Sequence, residues 1–170
     1  MRTPYRVCLI AAGVLALGTG RMDWASAQQP PAAMHPIPPA ECQTFASQIQ
    51  GAVGFAAKAS EDDYTDLIDG SEGRSCHITA SASDQALATP AELVAKVAKV
   101  FADWRDDPTR AADGPSGSEK GYVKANRIAA VDISWEPGPG ATCSDKEPLA
   151  NCKILPQQKL WNVTVDIVEK

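Results

Sequence analysis

The chain has 170 residues, with 16 Lys and Arg against 21 Asp and Glu, a formal net charge of −5 at pH 7. That balance excludes nonspecific binding to nucleic acid or to an anionic membrane surface, both of which require clustered positive charge. The length suits one domain with a real core and hardly two.

Arg2 and Arg6 precede an apolar run from Val7 to Leu17, and Ala25-Ser26-Ala27 supplies the small residues preferred at a cleavage site. Residues 1–27 therefore read as a secretory signal peptide, since the run falls well short of the roughly 20 residues a membrane span needs. Export predicts a periplasmic or secreted protein with no stable membrane insertion of the mature chain. Cys8 leaves with the leader, so Cys42, Cys76, Cys143 and Cys152 remain. An even set in an oxidising compartment reads as two disulfides, and the expected pairing is Cys42–Cys76 and Cys143–Cys152.

Residues 28–39, QQPPAAMHPIPP, are proline-rich and predict a flexible, extended linker. Met34 and His35 fall in it and read as solvated linker residues rather than a copper site. Residues 40–170 then form a single domain. Cys42, Phe45, Ala46, Ile49, Val53 and Ala56 recur at three- and four-residue steps, predicting a helix with Cys42 on its apolar face.

The acidic stretch SEDDYTDLIDGSEG invites a calcium reading, but the EF-hand template places Thr65, Leu67 and Cys76 where ligands belong. A short helix is expected instead, with Ser60 and Asp63 as a capping box and Gly70 ending it. In GRSCHITASAS, residues Cys76, Ile78, Ala80 and Ala82 alternate with His77, Thr79, Ser81 and Ser83, the period of a half-buried strand. Adjacent strand residues point to opposite faces, so Cys76 turns inward to meet Cys42 while His77 looks away.

Thr89-Pro-Ala-Glu92 reads as a helix start, and Leu93, Val94, Val97, Val100, Phe101 and Trp104 carry the apolar stripe of a packed helix. Residues 106–120 read as a long Gly/Pro/Ser loop. It lacks the phosphate-loop pattern and opens no helix, so it is a generic contact surface at most. Gly121 to Lys124 opens a hairpin through Ala125-Asn126. Ala129, Val131, Ile133 and Trp135, then Trp161, Val163, Val165 and Ile167, mark two further one-sided strands.

The expected fold is a two-layer α+β domain: an antiparallel sheet of about four strands, with two to three helices on one face and disulfide staples. The other face carries His77, Thr79, Ser81, Asp132, Ser134, Asn162, Thr164 and Asp166 and is the candidate contact surface. His77 is the one histidine of the expected domain, no G-x-S-x-G elbow accompanies it, and an open sheet is a poor place to exclude water, so no catalytic set is assigned. Oxidised cysteines leave no zinc ligand set, and no haem or C-x-x-C redox motif is present; no cofactor or metal is expected. The functional expectation is a small exported, non-catalytic binding or interaction module for a protein, envelope component or small ligand. The alternative is a small exported hydrolase using acidic residues or His77 in a cleft.

Overall fold

Extended strand covers more of the chain than its hydrophobic periodicity suggests. The computed structural model describes residues 33–83, 89–142, 152 and 154–170. Strand β1 (His35–Pro36) leads into helix α1 (Pro39–Val53), followed by strands β2 (Ala57–Thr65) and β3 (Glu72–Ala82). Helix α2 (Pro90–Val97) precedes β4 (Arg105–Asp113), β5 (Gly117–Lys124), β6 (Arg127–Pro137) and, after a 3-10 turn at Pro156–Gln158, β7 (Lys159–Glu169). The strands make one seven-stranded antiparallel sheet in the order β2-β3-β7-β6-β5-β4, with β1 paired to the end of β7.

This corrects the expected four-stranded sheet with two to three helices: the sheet has seven strands and the described residues hold two α-helices. Three segments account for the difference, β2, β4 and the short β1. The acidic stretch expected as a short helix is β2, paired residue by residue with β3 from Ala57↔Ala80 to Thr65↔Glu72. On an edge strand its carboxylates stand in solvent, so local helix-capping signals lose to cross-strand pairing. The expected 106–120 loop is the β4–β5 hairpin, whose Gly/Pro/Ser residues serve a bulge and a tight turn.

The proline-rich linker is also corrected in its last part. Met34 and Ile37 are buried, and β1 is inserted where β3 and β7 diverge: the Met34 amide donates to Glu72 O, and Arg74 N donates to Met34 O at 3.2 Å. Proline-rich backbone is already extended, which is the conformation such an insertion requires. Met34 presses so closely on Gly73 that a Cβ there would lie 2.1 Å from Met34 O. The expected signal peptide, residues 1–27, and residues 28–32 of the expected linker lie outside the described residues.

One sheet face packs against both helices. Cys76, Ile78, Ala80, Ala129, Val131, Ile133, Trp135, Trp161, Val163, Val165 and Ile167 all turn to this side, as their alternation predicts, and meet Cys42, Ala46, Ile49, Leu93 and Val97. Cys42 and Cys76 are disulfide-bonded, Cα–Cα 5.7 Å. Cys143 lies outside the described residues, and its expected clasp with Cys152 with it. Helix α2 is shorter than its apolar stripe implied: after Val97 the chain tightens into i→i+3 bonds up to Trp104. Phe101 and Trp104 still reach the core, Phe101 stacking on Tyr122 at 4.9 Å between ring centres.

Both margins of the sheet are irregular or charged. The β2 edge exposes Glu61, Asp62 and Asp63. In β4 the register slips between Asp107 and Ala112, so residues 108–111, beginning with Pro108, bulge away opposite Lys120.

Candidate functional site

The outer sheet face is where the sequence placed its polar array, and the register of the central strands assembles that array. His77 stands opposite Asp166, Thr79 opposite Thr164 and Ser81 opposite Asn162 across β3 and β7. Asp132 stands opposite Thr164 and Ser134 opposite Asn162 across β6 and β7. All eight candidate residues thus share one continuous face. Ser81 Oγ donates to Asn162 Oδ1 at 2.7 Å, and Ser134 Oγ to Asp132 Oδ1 at 3.3 Å.

The same face carries residues the sequence reading missed. Asp66 follows β2 and begins a turn in which its Oδ1 accepts the Ile68 amide at 3.0 Å, an Asx turn that closes at Gly70 in the left-handed region, φ 70°. Arg110 comes from the bulge of β4, the opposite margin. Its guanidinium bonds Asp66 and Asp107, joining the two margins above the sheet. The passage is open because Gly121 lies beneath: a Cβ at 121 would meet Arg110 Cβ at 2.5 Å. Lys170 adds a second cation to Asp66 at 3.4 Å and holds Asp69 at 2.5 Å.

This network shifts its members in consistent directions. Burial and the neighbouring Asp66 and Asp166 charges push the Tyr64 phenol up to about 12, against the opposing pull of Arg110. Burial would lower the Arg110 guanidinium, but the hydrogen bonds it donates to Asp66 and Asp107 outweigh it and hold it above its ordinary value. Asp107 is held below the usual carboxylate range by hydrogen bonds, first from Thr109. Tyr64 also covers a small apolar cluster of Met34, Ile128 and Val168, so this end of the outer face is dry.

Between the two margins lies a cleft of about 420 Å³. One wall is residues 64–68, the other residues 109–112, and Glu119, Ala130, Asp132 and Asp166 form the floor. At its lip Leu67 and Ile68 are 88 % and 52 % exposed, two of the three large apolar side chains so exposed among the described residues. Their position inside an acidic stretch hid them: a lone Leu-Ile pair reads as a helix stripe until β2 ends before it.

The chemistry at His77 is incomplete for nucleophilic catalysis. Its Nδ1 lies 2.8 Å from Asp166 Oδ1, the arrangement that orients an imidazole. Ser75, however, donates to the aspartate at 2.7 Å rather than to the ring, and Ser60 Oγ donates to the His77 carbonyl. No described hydroxyl bonds Nε2, so no triad forms among the described residues. Among these residues, too, no group of three or more His, Cys, Asp or Glu is placed to hold a metal ion.

No protein-family model, curated protein or solved structure matches the chain. Nor is any helix of the described residues long and apolar enough to cross a membrane. The Cys42–Cys76 bond is compatible with an oxidising, exported setting.

Proposed function

We propose that this protein is an exported binding module that takes its ligand in the cleft between the β2–β3 turn and the β4 bulge. The observation that carries the reading is the cleft itself, with Leu67 and Ile68 standing uncovered at its lip. Exposed aliphatic side chains beside a concave, mixed surface are the usual marks of a contact site. The polar array extends the same surface along β3, β7 and β6, and the disulfide under it keeps β3 rigid on α1. A photo-crosslinker placed at Ile68 and another at Thr109 are expected to capture the same species in cells, and Leu67→Ser to reduce that capture. A pattern indistinguishable from a crosslinker at Gln50, exposed on the opposite helical face, ends the reading.

One observation favours a second reading, a small hydrolase: the His77–Asp166 pair, which fixes the ring so that Nε2 would serve as the base toward a water. It predicts turnover of chromogenic esters or glycosides that His77→Gln abolishes. Turnover that is absent, or that survives this substitution, removes it.

A further inference from the structure

We propose that the occupant of the cleft is a basic, apolar polypeptide segment, with a lysine or arginine seated between Glu119 and Asp132 and flanking aliphatic side chains against Leu67 and Ile68. The inference rests on the cleft-binding reading and deepens it. Glu119 and Asp132 are direct cross-strand partners on the outer face of β5 and β6. Like charges so placed repel, a cost that folding alone gives no reason to keep. Among the described residues neither has a cationic partner.

The cleft's own cations are already committed. Arg110 is neutralised by Asp66 and Asp107, and Lys120 by Asp113 at 3.0 Å. Asp166 lies two residue pairs along from Asp132 across β6 and β7, on the same face, and its Oδ1 takes both Ser75 and His77, leaving Oδ2 without a described donor. The field presented to a ligand is therefore negative, and a cation arriving there relieves the Glu119–Asp132 repulsion as it binds. A small amine confined to the floor would leave Leu67 untouched at the lip. A polypeptide reaches both, its aliphatic side chains meeting Leu67, Ile68 and Ala111.

The test uses the full-length chain and three fluorescein-labelled peptides: Ser-Leu-Lys-Leu-Lys-Leu-Ser and its counterparts with Gln or Glu at both lysines. Fluorescence anisotropy is expected to find the Lys peptide about tenfold tighter than the Gln peptide at low salt, a margin that shrinks as salt screens the charges. The double variant Glu119→Gln/Asp132→Asn is expected to erase that margin. Circular dichroism melting is expected to show the variant no less stable than the parent, because it removes a repulsion. Equal affinity for all three peptides, preference for the Glu peptide, binding of none, or a Lys preference that survives in the double variant overturns the inference. If all three bind equally and Leu67→Ser weakens each, the cleft reading stands and only the basic specificity falls.

Discussion

Arg110 crosses the outer face only because position 121 has no side chain. Gly121→Ala is therefore expected to displace it, costing about 1–3 kcal/mol as overpacking does elsewhere, measurable as a lower urea midpoint. Arg110→Ala tests the partner side of the same contact. It leaves Asp66, which is fully buried, with Lys170 at 3.4 Å as its remaining cation, and a loss of about 3 kcal/mol is expected. Restoration of stability by a further Asp66→Ala change would identify the uncompensated charge as the cause. At this scale, legibility depended on distance along the chain. The opposed faces of Cys76 and His77 follow from adjacency in a strand and could be read directly. The Asp66–Arg110 pair spans 44 positions and depends on a register slip in β4 that no periodicity announces.

Strands β3, β6 and β7 were legible because one face is dry through their central residues, from Cys76, Ala129 and Trp161 onward. Edge strands β2 and β4 were not: solvent on one side and along one margin removes the apolar signal, leaving acidic, proline and glycine residues that imitate helix caps and loops. Helix α1 and β3 were legible as a linked pair, since each turns a cysteine inward. Their bond closes a separation of 34 positions. By the chain-entropy account, Cys42→Ala/Cys76→Ala is expected to cost about 3–4 kcal/mol. Thermal melting of the double variant against the parent protein checks it. An unchanged melting temperature would mean that α1 is held by packing alone. The eight polar positions of the outer face were legible as a set, because parity alone assigns them to one side. The cleft was not, because its walls come from the two segments whose strands went unread.

At the scale of the whole molecule, Tyr64 is expected to couple stability to alkaline pH, alongside Tyr122, which burial also raises. The Tyr64 phenol titrates near the ordinary value of 10 when the chain is unfolded and at about 12 when folded. A folded-state value above the unfolded one gives a stabilising contribution that is complete below pH 10 and is lost as the pH rises toward 12. Stability is expected to fall across that window, and Tyr64→Phe to flatten the fall, as followed by chemical denaturation at stepped pH with phenolate absorbance as the second probe. An unchanged slope in the variant would place the alkaline sensitivity elsewhere. The irregular margins of the sheet have a consequence of their own. A sheet this wide invites strangers to add strands at its rims, yet one rim bristles with Glu61, Asp62 and Asp63 and the other buckles at Pro108. Charge on one rim and a bend at the other each oppose the docking of a further strand, so self-association through the sheet margins is disfavoured.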